Sequence, residues 1–233
     1  MNRPLPTGSI ALLLLLGGAL SLRGQPHAVD EHFRYRWELR NLLGSIASLF
    51  MPGEGEGELT FKSQEGGLLK SELLITSSQS AKGEYFRYGA EINPVTLQTV
   101  RAWSAYAWRG ESKSKNEKIQ AQGVLDIASG IYAIRHDPPT RTRPMEIWSD
   151  GKIYPVLVIP METGTRKVGN ASLAVRHYAV RGQQIPGRKR WKGKLDLWLT
   201  QDEAATPVEI TISRNLADVR LELQPKQEKG GIR

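Results

Sequence analysis

The sequence of 233 residues predicts a mainly β protein: a single antiparallel, strongly curved sheet or barrel-like domain with one packed α-helix. Three observations predict it. Beyond residue 30, apolar and polar side chains alternate with period two, as strands with one wet face do. Glycine, proline and asparagine divide these runs at short intervals. One segment breaks the period, "GVLDIASGIYAIRHDPP", where apolar residues recur at helical spacing between an aspartate and two prolines. The pattern gives about ten strands and one or two helices, and a sheet of that size curls so that its apolar face is covered.

In "FRYRWELR", Phe33, Tyr35, Trp37 and Leu39 share one face while Arg34, Arg36, Glu38 and Arg40 share the other, which predicts the first strand. "NLLGSIASLFM" places Leu42, Leu43, Ile46, Leu49 and Phe50 at helical spacing before Pro52. It is either a short amphipathic helix or a strand continued past a bulge at Gly44, and the spacing favours the helix. Glu54, Glu56 and Glu58 alternate with glycines in the manner of a calcium loop. The twelfth-position glutamate of such loops is missing, so a hairpin turn is predicted.

Strands follow at "ELTFKS", "GLLKSELLITSS", "EYFRYGAEI", "VTLQTVRAWSAYAW" and "EKIQAQ", with a turn at Asn93 and Pro94 and a charged loop at "RGESKSKNEK". Regular pairing puts Trp103 and Tyr106 on opposite faces, so one of them lies at a surface or groove. The helix comes next. Asp126 is its N-cap, Ile127, Ile131 and Ile134 mark its apolar face, and Pro138 with Pro139 ends it. An interior glycine costs a helix about 1 kcal/mol against alanine, so Gly130 predicts close packing.

After a basic, proline-containing loop, strands are predicted at "GKIYPVLVIP", "LAVRHYAV", "GKLDLWLT", "PVEITIS" and "DVRLELQ". The last three form a meander. Leu195, Leu197, Leu199, Val208, Ile210, Ile212, Val219, Leu221 and Leu223 define its core side, and Asp196 and Trp198 face away. Asp202 and Glu203 fall in the connection "TQDEAATP", where aspartate bonds its own backbone and shapes a turn.

The amino terminus has the form of a signal peptide over residues 1–21, with cleavage as late as residue 28: Arg3, an apolar run from Ile10 to Leu16, then Ala19 and Ser21 at small-residue spacing. About ten apolar residues are too few to cross a bilayer. No other apolar stretch is long enough to span one, so no transmembrane segment is expected after cleavage. Cysteine is absent, which excludes disulfides, a thiol nucleophile, thiolate metal ligands and a lipidated cysteine anchor. The expectation is a periplasmic or secreted protein with its domain at 31–224 and a polar tail at 225–233.

"GVLDIASGIYAIRHDPP", "GKIYPVLVIP" and "GKLDLWLTQDEAATPVEITISRNLADVRLELQ" resemble the domain of unknown function 3108 (DUF 3108) family of exported bacterial proteins. Asp126, Ser129, Tyr132, Arg135, Lys152, Tyr154, Trp198, Leu199, Asp202 and Pro207 carry the resemblance, which spans residues 31–224 and is strongest in the second half. Glu203, Ala204 and Ala205 are an insertion relative to the pattern. The resemblance implies a single, mostly β, envelope-associated domain and no particular reaction.

No catalytic motif is present: there is no serine-nucleophile elbow, no phosphate-binding glycine loop and no histidine pair at ligand spacing. No catalytic residue, metal or cofactor is therefore assigned. His27 lies near the cleavage site, His32 precedes the first strand, His136 ends the helix and His177 sits within a strand. Asp126 and Arg135 stand roughly 13 Å apart along the helix and cannot pair. Arg135 is left to reach an acid on the sheet or an anionic ligand.

The net charge of +8 is concentrated in "RGQQIPGRKRWKGK", residues 181–194, which holds six cations and no acid. The run is either a solvated loop or an anionic docking site. The candidate ligand-binding residues are Trp103, Tyr106, Trp108, Trp148 and Trp198 as groove walls, with Arg135, Arg188, Lys189 and Arg190 as cations. The partners that fit are a lipid, a glycan or an envelope protein. Export argues against nucleic acid. Two alternatives stand beside this reading: a hydrolase of envelope polymers using His177 with Asp126 or Asp202, and a structural scaffold.

Overall fold

The computed structural model describes residues 30–40, 53–78, 83–108, 110–214 and 217–225. The signal peptide expected at 1–21, the apolar segment at 42–50 and the tail from residue 226 lie outside them. The first meander comprises β1 (Glu31–Leu39), β2 (Glu54–Ser63), β3 (Leu69–Ser77), β4 (Tyr85–Ile92), β5 (Thr99–Trp108) and β6 (Glu111–Lys118). A short β7 (Val124–Leu125) leads into α1 (Ile127–His136). The second meander comprises β8 (Arg143–Ser149), β9 (Lys152–Val168), β10 (Ala171–Gly182), β11 (Lys194–Thr200), β12 (Pro207–Arg214) and β13 (Ala217–Leu223).

All thirteen strands join one sheet in the order β6-β5-β4-β3-β2-β1-β13-β12-β11-β10-β9-β8-β7. The first and last strands meet in its middle, with Tyr35 opposite Leu223 and Trp37 opposite Leu221. Every pairing is antiparallel except β7 with β8. The fold is therefore the mainly β, strongly curved sheet with one helix that the alternation predicts. Its two ends approach without a backbone ladder. The seam is bridged by side chains: Thr99 Oγ1 donates to the Val124 carbonyl at 2.5 Å, Ser104 Oγ to Asp150 Oδ1 at 3.0 Å and Trp148 Nε1 to Glu117 Oε2 at 3.1 Å.

Helix α1 lies within the curl and is buried from Ile127 to Arg135. Its sequence suits enclosure, because alanine, serine, glycine and isoleucine cover every side of it. The Asp126 carboxylate accepts from the Ser129 and Ala128 amides, and Ser129 Oγ accepts in return from the Asp126 amide, completing a capping box. At the other end Arg135 reaches the sheet. It donates twice to Glu31, at 2.7 and 2.9 Å, and once each to the carbonyls of Ala204 and Ala205, at 3.0 Å. Phe33 and Phe61 lie against its guanidinium.

The turn that supplies those carbonyls is made by the acid predicted to shape it. Asp202 Oδ1 accepts from the Ala205 amide and from Thr200 Oγ1, while Ala205 takes a φ of +42°. Ala204 and Ala205 thus form the socket for Arg135.

Several expectations are corrected. "GEGEG" is the start of β2 and not a hairpin turn. Its glutamates form the outward half of the alternation, and Gly55 and Gly57 stand inward because Trp37, Tyr35 and Leu221 occupy the space a side chain would need. Trp37 Nε1 crosses Gly55 to donate to the Thr76 carbonyl at 2.8 Å. "ESKSKNEK", read as a loop, is β6, an edge strand whose exposed charges discourage pairing with another chain. The strand read at "EKIQAQ" ends at Lys118, and that read at 95–108 begins at Thr99 after the Asn93 turn.

The basic loop before β9 contains β8. Its Pro144 lies outside the two residues that pair with β7, where a missing N–H is tolerated. Val208 belongs to the outer face, because the ladder slips between Trp198 and Leu199 and so reverses its side. The β9–β10 hairpin has a further slip between Arg176 and Tyr178, and its tip lies over the outer face of β11 to β13. There Val175, Trp198 and Val208 form a second small core, and Gly169 abuts Pro225.

Gly130 has no close neighbour. A methyl group there meets only Met145 Sδ, at an ordinary 3.8 Å. Gly130→Ala is therefore expected to raise stability by about 0.5–1 kcal/mol. Gly55→Ala, whose methyl would collide with the Thr76 carbonyl oxygen, is expected to lower it by roughly 2 kcal/mol. Urea denaturation of both variants checks this, and the reverse order contradicts the packing described.

Candidate functional site

With α1 filling one part of the curl, a cleft of about 930 Å³ remains at its N-terminal end. The floor is apolar and aromatic. Tyr88 comes from β4, Ile127 from the first turn of α1, Tyr154 from β9 and Ile212 from β12. The rim is cationic: Lys152, Arg181, Lys189, Arg190, Lys192 and Lys194 line it, against one acid, Asp150. That acid is engaged by Ser104 across the seam.

The loop carrying Lys189, Arg190 and Lys192 is anchored. Trp191 is 8% exposed and sits between two glycines that admit it. A side chain on Gly182 would strike the Trp191 carbonyl, and one on Gly193 would come within 2.6 Å of its indole. The Gln183 amide donates to the Pro155 carbonyl at 2.9 Å, and Arg190 Nε to the Gly182 carbonyl at 3.1 Å. Two rim residues are committed at the surface: Arg181 to Asp196 at 2.6 Å and Arg190 to that backbone carbonyl. Lys152, Lys189, Lys192 and Lys194 have no partner among the described residues.

Of the nine candidate ligand-binding residues, Lys189 and Arg190 line the cleft, joined by Arg181, Lys192 and Lys194 of the same basic run. Arg188 pairs with Glu146 at 2.5 Å instead. Arg135 is buried in its socket and serves the helix, so it does not face a ligand site. Trp148 is in the core. Trp103 lies on the outer face over Gly89, with Lys70 above its ring and Glu72 accepting from Nε1 at 3.3 Å. Tyr106 and Trp108 pack on Phe86, on the same concave face as Tyr88 but beyond the cleft lining. Trp198 is on the outer face under the β9–β10 hairpin. Sequence reasoning missed Tyr88, Tyr154 and Trp191. The signal for Trp191 was present, since it is the tryptophan embedded in the basic run.

His177 does not meet Asp126 or Asp202. Its Nε2 faces Asp196 at 2.8 Å and its Nδ1 faces Glu162 at 3.2 Å, while its ring stacks on Trp198 at 4.3 Å. Arg166 lies over the same indole and bonds Glu209. With a carboxylate on each ring nitrogen, His177 has no free position from which to act as a base. Among the described residues no three His, Asp or Glu side chains gather as metal ligands.

Two of these groups make stability depend on pH. Burial raises the Asp126 carboxyl to about 6, against the pull of its bonds from Ser129 and Ala128. A raised carboxyl holds its proton more tightly in the folded state, so this contribution falls as pH rises from about 4 to 6, by up to about 3 kcal/mol. Burial lowers the His177 value, but the bonds to Asp196 and Glu162 outweigh it and leave it raised. Its contribution is complete below its ordinary value and is lost as pH rises through the raised one. Urea denaturation between pH 4 and 9 is expected to lose the lower slope in Asp126→Asn and the upper slope in His177→Gln. Slopes unchanged in both variants contradict the assignment.

No family model and no curated protein matches this chain. Among solved structures, it is similar to a beta-barrel-like protein of domain of unknown function DUF1849 from Brucella abortus. The TM-score is 0.45 at 8% sequence identity, over 84% of this chain and 96% of that chain.

Proposed function

We propose that this chain is an exported, non-catalytic binding protein that takes an anionic ligand at the open end of its curled sheet. The observation that carries the reading is the set of four lysines, without partners among the described residues, around an apolar floor. Several arginines of the sheet are matched by acids. Arg87 pairs with Glu72, Arg135 with Glu31, Arg166 with Glu209, and Arg220 with Glu209 and Glu222. At the cleft the cations border an apolar, concave floor, and a concave wall of low dielectric focuses their field.

The leader at 1–21 and the resemblance to exported bacterial proteins support placement in the cell envelope, where lipids and glycans bear negative charge. The occupied nitrogens of His177 favour binding over hydrolysis.

The anionic fluorophore 1-anilinonaphthalene-8-sulfonate tests the reading. It is expected to bind one to one, and to weaken at least about tenfold when Lys152, Lys189, Lys192 and Lys194 are all changed to Gln. The same loss is expected on raising salt to ~0.5 M. The melting temperature of the variant should hold, because the four lysines are exposed and bond no side chain among the described residues. Affinity indifferent to both the substitutions and salt overturns the reading.

A further inference from the structure

Resting on that reading, the geometry points to a ligand of one chemical class: a phosphate monoester carrying an alkyl or acyl chain, its phosphate on the lysines and its chain against the floor of the cleft. Charge count is the first argument. Four lysines with no partner among the described residues line one site, with Arg190 beside them and a single carboxylate, Asp150, already engaged by Ser104. A carboxylate ligand brings one negative charge and leaves most of these cations uncompensated. A phosphate monoester brings nearly two charges and three acceptor oxygens, and lysine ammoniums serve it as point charges.

The chemistry of the floor is the second argument. Tyr88, Ile127, Tyr154, Trp191 and Ile212 offer apolar surface, whereas the neutral hydrogen-bonding side chains of the lining, apart from the two tyrosines and the Trp191 indole, are Ser149 and Gln184. Each hydroxyl of a sugar ring set against that apolar floor needs a partner of its own, at a cost where it finds none. A hydrocarbon chain makes no such demand. The volume, about 930 Å³, is at the upper end of sites that enclose a small ligand. Beyond Tyr88, the same concave face continues into the half-buried cluster of Phe86, Tyr106 and Trp108. A chain longer than the cleft has apolar surface to follow.

Calorimetric titration with inorganic phosphate, butyl, hexyl and octyl phosphate, and neutral octanol separates the two halves of the ligand. Affinity is expected to rise roughly tenfold for each two methylenes added. Changing the four lysines to Gln should lower affinity for every phosphate in the series by a similar factor, leaving the dependence on chain length intact. Inorganic phosphate binding as tightly as octyl phosphate overturns the amphiphile while leaving the anionic site standing. Octanol binding as tightly as octyl phosphate overturns both readings, as does the absence of binding across the whole series. A single-stranded oligonucleotide displacing octyl phosphate at equal concentration overturns the assignment in favour of a nucleotide ligand.

Discussion

The fold depends on how Arg135 is held. A guanidinium is costly to bury, and this one is compensated on every side: a bidentate carboxylate at the start of β1, two backbone carbonyls in the β11–β12 turn and two phenylalanine faces. These partners come from both meanders. One side chain at the end of α1 therefore joins the beginning of the first meander to the far part of the second, and fixes the helix within the curl. Tyr35 adds a second tie, donating from its hydroxyl to the Pro207 carbonyl at 2.8 Å. With its last turn held there, the helix begins beside the cleft, where Ile127 forms part of the floor.

The strand order makes this tie necessary. The chain's first and last strands are neighbours in the centre of the sheet, and its middle supplies both edges. The curl thus closes where β6 faces the β8–β9 hairpin, through side chains alone. A helix threaded through the interior and fastened to the central strands gives both halves a common surface to wrap. The outer face is handled separately. There the β9–β10 hairpin covers Trp198 and Val208, and His177 with Arg166 fills the space around the indole.

Much of this architecture was legible in the residues. Period-two alternation located the terminal meander, and Asp126 with the proline pair bounded the helix. The failures have physical causes. Glycine carries no hydropathy signal, so the inward half of "EGEGEL" was invisible until Trp37 and Leu221 were seen to occupy its place. An edge strand needs no buried face, so "ESKSKNEK" resembled a loop. A one-residue slip moved Val208 to the other side of the sheet, and no pattern in the sequence marks such a slip. The site was half legible for a related reason. The cations of 188–194 stood out as a charge run, but the aromatic residues that face them come from β4 and β9, and only the curl brings them together. Tryptophans are large and conspicuous, yet three of the four chosen from sequence pack in the core or on the outer face.

Structure and proposed role meet in the asymmetry of the interior: one end holds a charge that is fully matched, the other a set that is not. The most direct measurement is hydrogen exchange at the α1 amides in the wild-type protein and in Arg135→Met. Loss of the socket, worth on the order of 3 kcal/mol, should accelerate exchange together in α1, in the amide of Ala205 and in the Glu31 end of β1. If α1 keeps its protection in that variant, the helix is held by packing alone and the central role given to Arg135 is wrong.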